Sequence, residues 1–274
     1  MLYLSSVMIQ GSLITGLIGS NLTKNKDKYS LNELSFSAFE VPLFILKSII
    51  NNPIIDLKSF DKQLKQNQNG LFKNNYAIAS SELVITFFPL LIYNYQNFSE
   101  FSDELKLFKR IFLPSKLNDN SLDIFIVMIN LIVNKQLNFI SISSQVISDL
   151  NTNDEKNINQ LKLIDELITN HLPLVKVEEK LSLNVDEDSL AICQSIYSFF
   201  SFPHNIENCL KRSTYFSQQS EKTAILTGYL LGLYHGYPNI PYQWRKSLEL
   251  NPKIKEIEIL TQKLVANWQG KMDN

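Results

Sequence analysis

The side chains able to do chemistry in this chain are few and scattered. Its three histidines, His171, His204 and His235, stand far apart. No HxxxH or HExxH occurs, so no helix presents two imidazoles to a single zinc ion. Cys193 and Cys209 are the only cysteines and do not form a CxxC. Two thiols cannot frame a disulfide scaffold in a chain of 274 residues, and they suit a reducing cytoplasm. Cys193 falls on an apolar helical face, where a buried, inert thiol is the default. GxSxG, P-loop and dinucleotide fingerprints are absent, and Gly16-x-x-Gly19 is too short to cradle a phosphate. His235 ends a glycine-bearing helix, where the helix dipole favours a cation. That structural role outweighs catalysis for an imidazole with no acid in view. Glu82 opens an apolar segment, and complementing the dipole of a first turn is favoured over a place in a pocket.

The elements that must position any site centre on KRSTYFSQQSEKTAILTGYLLGLYHGYPNIPYQW, from Lys211 to Trp244. Its middle reads as one helix with Ser220 as N-cap. Ala224, Ile225, Leu226, Leu230, Leu231 and Leu233 make it apolar on more than one side, which implies burial. Gly228, Gly232 and Gly236 recur every fourth residue and share one face. Glycine inside a helix costs about 1 kcal/mol against alanine, so the repeat implies close approach of a second backbone or of a ligand. Gly236 then ends the helix with a left-handed cap, and Pro238 and Pro241 forbid its continuation.

The rest of the chain reads as further helices. Met1 to Leu22 is apolar, but it lacks a basic leader and is interrupted by three glycines, so it reads as a buried helix rather than a signal or a span. NLTKNKDKYS follows as a polar loop, and a helix through Pro42 comes next. SSELVITFFPLLIYNYQNF is a buried helix capped by Ser80 or Ser81 and kinked at Pro89. Segment 55–66 is a short amphipathic helix, and four or five further helices, the first at 102–112, run to residue 181. NFISISSQV is the one stretch whose alternation allows a strand. Asp186 to Phe202 is a helix whose buried side carries Leu190, Ile192, Ile196, Tyr197, Phe199 and Phe200. The pattern predicts an all-α protein, and 274 residues allow one or at most two domains, read here as a single domain over 1–274. A balance of 26 basic and 27 acidic residues leaves no footprint for nucleic acid. No membrane partner is indicated either.

The run G-Y-L-L-G-L-Y-H-G-Y-P-N-I-P-Y-Q-W closely resembles the C-terminal signature of the ADP-ribosylglycohydrolase family, in Gly228, Gly232, Gly236, Ile240, Pro241 and Trp244. At the N-terminus, Gly11, Leu13, Ile18, Gly19 and Leu22 are similar to the family's opening helix. The resemblance implies a multi-helix orthogonal bundle and an ADP-ribosyl hydrolase that uses two magnesium ions. In the family, Gly-Gly-Asp-x-Asp-Thr at the start of the glycine helix and Thr-Asp-Asp-Thr near the N-terminus supply the metal carboxylates.

This chain departs from the family at those places. It has Ser217, Gln218, Gln219, Ser220, Glu221 and Lys222 at the first, and Phe36, Ser37, Ala38 and Phe39 at the second. Ser20 stands where the opening helix carries an aspartate. The expectation is therefore a vestigial pocket of Ser20, Ser37, Gln219, Ser220 and Lys222 without metal, with Lys222 or apolar side chains filling the former metal space. The implied protein is a pseudoenzyme kept for binding ADP-ribose, a related nucleotide or a protein partner. One alternative is a residual hydrolase using Glu221 or Glu82 as general base, aided by Gln219. Another is a purely structural helical protein.

Overall fold

The computed structural model describes residues 4–24, 31, 34–52, 79–94, 121–140, 142–150 and 154–269. Among the described residues there are twelve α-helices and no strand. They are α1 (Ser6–Lys24), α2 (Glu40–Asn51), α3 (Ser80–Tyr93), α4 (Ser121–Val133), α5 (Ile142–Leu150) and α6 (Glu155–Thr169). After these come α7 (Leu174–Asn184), α8 (Glu187–Ser201), α9 (Ile206–Ser213), α10 (Ser220–His235), α11 (Tyr242–Leu248) and α12 (Pro252–Trp268). Short 3₁₀ turns at Ser37–Phe39 and Tyr237–Asn239 precede α2 and α11. Segments 55–66 and 102–112 and the tail after 269 lie outside the described residues.

The two glycine-bearing helices, α1 and α10, form the spine. Both are buried on all sides along most of their length, as helices without a polar face must be. Their backbones touch. A Cβ built on Gly228 would lie 2.5 Å from the Thr15 carbonyl oxygen, and one on Gly19 would lie 2.4 Å from that of Ala224. Gly228 and Gly232 of the repeat are thus accounted for by backbone packing against α1. Gly16 makes room for Tyr229, whose ring stacks on Phe88 with centroids 3.8 Å apart. Around this spine, α8, α9, α4 and α3 pack on α10, while α12 packs on α1 and α2. Their buried apolar side chains form one contiguous cluster. Among the described residues no helix is long and apolar enough to cross a membrane.

Several boundaries differ from the sequence expectation. Helix α1 continues through Asn21 to Lys24, into the stretch read as a loop, because Leu22 still packs in the core. The N-cap of α10 is Gln219, in a left-handed conformation (φ 58°), and Ser220 is the first helical residue. Ala79, rather than Ser80 or Ser81, precedes α3, which runs through Pro89. The acceptor at that end is Glu82, which takes the Ala79 N–H at 3.4 Å. Within the stretch that allowed a strand, residues 142–146 belong to helix α5, because Val146, Ile147 and Leu150 gather on one helical face against the core, while residues 138–140 precede it without strand. Gly236 has the positive φ expected of a helix end (74°), but its ψ of 165° is extended rather than left-handed helical.

Candidate functional site

The last turn of α1, the Ser35–Ser37 turn and the first turn of α10 meet at one point. Ser20 and Lys24 lie four residues apart on α1 and so share a face. The Ser20 hydroxyl donates to Glu221 Oε1 at 2.6 Å. Lys24 Nζ lies 3.4 Å from the same oxygen. It also donates to Ser35 Oγ at 3.4 Å and to Ser37 Oγ at 3.3 Å. The turn carrying both serines is pinned to α1 by Asn21, whose amide donates to the Ser35 carbonyl and accepts the Ser35 N–H. Ser20, Ser37 and Glu221 are therefore brought together around one ammonium.

The other expected residues point elsewhere. Lys222, next to Glu221 on α10, projects away from it and pairs with Glu82 at 2.7 Å, tying α10 to α3. The cation that reaches Ser37 is Lys24, not Lys222. Gln219 directs its amide to Glu187 at 3.5 Å. Ser220 is half-buried at the start of α10. The segment before it is fixed by Glu178 of α7. That carboxylate accepts the Ser217 N–H at 2.7 Å, the Ser217 hydroxyl at 2.6 Å and the Gln218 N–H at 3.1 Å.

Beneath the first turn of α10 the interior is polar. Thr223 donates to Gln194 Oε1 at 2.7 Å, with both side chains fully buried. The Gln194 Nε2 atom has no partner among the described residues. On the solvent side a cleft of about 630 Å³ opens beside the serine turn, lined by Ser35, Phe36, Ser37, Asn251 and Lys253 among others. Lys253 Nζ lies 4.8 Å from the centre of the Phe36 ring.

The histidines take no part. His235 Nε2 bonds the Pro203 carbonyl at 2.6 Å. Burial, with a smaller contribution from nearby His204, holds its pKa below the ordinary imidazole value although the Pro203 bond opposes the shift. The helix dipole alone favoured a cation there, and desolvation outweighs it. Cys193 and Cys209 are both buried and reduced, and burial pushes the Cys209 thiol up.

Sequence reasoning missed Lys24, Ser35, Asn21, Glu178 and Gln194. No motif marks them, and in a chain rich in Asn and Lys a polar residue past an apolar run carries little signal.

The donor set can be tested against the magnesium pair that the resemblance implies. Magnesium takes oxygens at about 2.0–2.1 Å in an octahedron and dehydrates reluctantly, so carboxylate charge must offset the water it gives up. Here the described oxygens are one carboxylate and three hydroxyls, and a lysine ammonium already lies against that carboxylate. Among the described residues no group of three or more His, Cys, Asp or Glu side chains could hold a metal ion. These residues do not fit a magnesium pair.

A comparison with curated proteins gave no match. A family model described as ADP-ribosylglycohydrolase matches residues 124–274, from α4 to the C-terminus. The match includes the Glu221-bearing start of α10 and the glycine helix, while Ser20, Lys24 and Ser37 lie before it. Over half of the chain carries the family's pattern, on an all-helical body whose spine is the glycine helix of that pattern, and the chain belongs to the ADP-ribosylglycohydrolase family.

Proposed function

We propose that this protein uses the family's helical body to bind a nucleotide of the ADP-ribose kind without metal-dependent hydrolysis. The observation that carries this reading is the fate of two positions at the start of α10, 219 and 221. Gln219, where the resemblance places an aspartate, is neutral and directed to Glu187, and Glu221 alone remains at the site. Hydrolysis that relies on divalent ions to polarise the sugar and position water finds, among the described residues here, a single carboxylate that Lys24 already neutralises. A lone general base would contribute about 10²- to 10⁴-fold in rate, far below a working glycosidase.

The test is a calorimetric titration with ADP-ribose, paired with hydrolysis assays on ADP-ribosyl-arginine and ADP-ribosyl-serine peptides in magnesium. Saturable binding without turnover is the expected result. Turnover that Glu221→Gln abolishes would establish a working hydrolase instead. Silence in both assays would leave a protein partner or a structural role in place of the nucleotide.

A further inference from the structure

Lys24 Nζ stands among three oxygens at 3.3–3.4 Å: Glu221 Oε1, Ser35 Oγ and Ser37 Oγ. Ser20 completes the group by donating to that same carboxylate oxygen. This is the arrangement of a cation in an oxygen cage, with the cation supplied by the chain. The cage carries one formal negative charge, which a single ammonium neutralises.

We propose that Lys24 is the resident cation of this site, and that its ammonium keeps divalent ions out of a cage that would otherwise take one weakly. Three features of the fold support this. Lys24 and Ser20 share a face of α1, so the ammonium and the serine reach Glu221 together. Asn21 locks the Ser35 backbone against α1 and Ser35 Oγ accepts the Ser37 N–H, so the turn is set by the chain rather than gathered by the ion. Lys222, the nearer lysine in sequence, is committed to Glu82 and does not compete for Glu221. With the ammonium removed, one Glu221 carboxylate oxygen and the Ser35 and Ser37 hydroxyls, which lie 3.0 Å from each other, remain around the place it held, open to water. That is a minimal oxygen set for a hard divalent cation, which would keep most of its water.

The inference concerns the same site as the reading above and does not depend on ADP-ribose being its ligand. The experiment therefore omits nucleotide. The intact protein is titrated with manganese, free ion being followed by its paramagnetic resonance signal, and thermal melts are run with and without magnesium. Wild type and Lys24→Arg should give no saturable binding and no shift in melting temperature. Lys24→Met should gain saturable, weak manganese binding, and the added Glu221→Gln should remove it again. Lys24→Gln is a second probe that retains a polar side chain and should behave as Lys24→Met does. Saturable binding by wild type that Glu221→Gln abolishes would overturn the proposal. So would Lys24→Met and Lys24→Gln proteins that fold, by circular dichroism, yet gain no manganese.

Discussion

Gly232 of α10 lies directly on the backbone of Gly11 in α1, so that a Cβ on Gly232 would fall 2.2 Å from the Gly11 carbonyl oxygen and 2.3 Å from Ser12 Cα. Both neighbours are backbone, and neither can swing away as a flexible side chain would. Alanine is the better helix former by about 1 kcal/mol, so Gly232→Ala on propensity alone would stabilise the protein. The contact reverses the sign. Forcing a methyl into a closed interior costs about 1–3 kcal/mol, and here it must push two helices apart. Gly232→Ala should therefore lower the urea midpoint clearly. An unchanged or raised midpoint would show that α1 and α10 are not this close.

The buried Thr223–Gln194 bond makes a second prediction. Gln194 has its Nε2 unpartnered and its Oε1 satisfied by the Thr223 hydroxyl. Thr223→Val keeps the side-chain shape and removes the donor. The amide would then be buried with neither end satisfied, which costs about 1–3 kcal/mol. Gln194→Leu in the same background should recover part of the loss, because both polar partners are then gone. A double-mutant cycle by chemical denaturation measures the coupling, and additive effects would mean the bond is absent.

How far the sequence disclosed this arrangement varies from place to place. The glycine helix was legible because three glycines on one face of an apolar helix demand a close neighbour, and the neighbour proved to be α1, itself glycine-bearing. The buried face of α8 was legible for a similar reason, since its apolar residues recur at helical spacing and are all buried. Lys24 was not. It follows Leu22 and Thr23 in a run of polar residues that reads as a loop, and only the continuation of α1 for one more turn brings it onto the face of Ser20. Lys222 adjoins Glu221 in the chain, but neighbours on a helix project about 100° apart and cannot serve one point. Three-dimensional proximity between residues 24, 35, 37 and 221 leaves no trace in any single stretch.

The loop that delivers α10 to the site hangs on one carboxylate. Glu178 accepts three hydrogen bonds from Ser217 and Gln218, two of them from backbone N–H groups. A carboxylate acceptor makes these bonds stronger than neutral ones, although the site is open to water. Glu178→Ala should accelerate hydrogen exchange at the Ser217 and Gln218 amides while leaving exchange at Leu230 and Leu231, deep in α10, as it was. Global stability should fall by about 1 kcal/mol. Equal acceleration along the whole of α10 would mean that Glu178 supports the fold as a whole rather than this segment.

The last prediction concerns pH and rests on His235. Its imidazole is partly buried between Tyr234 and the Pro203 carbonyl, and burial holds its pKa below the ordinary value. The charged groups acting on it include His204, whose positive form would disfavour a second cation nearby. In the unfolded chain the same imidazole titrates near 6.5. Between that value and the lower folded pKa, the unfolded state binds more protons than the native one, so stability rises with pH across the window. The contribution of His235 is therefore complete above about pH 6.5 and is lost as pH falls towards the folded pKa, below which it stays flat. Other groups contribute to the pH dependence of stability as well, so wild type alone cannot isolate the effect. Subtracting the denaturation free energy of His235→Gln at each pH removes their contribution. The difference in favour of wild type should shrink as pH is lowered from neutrality, and a difference independent of pH would show that the ring is not desolvated in the folded protein.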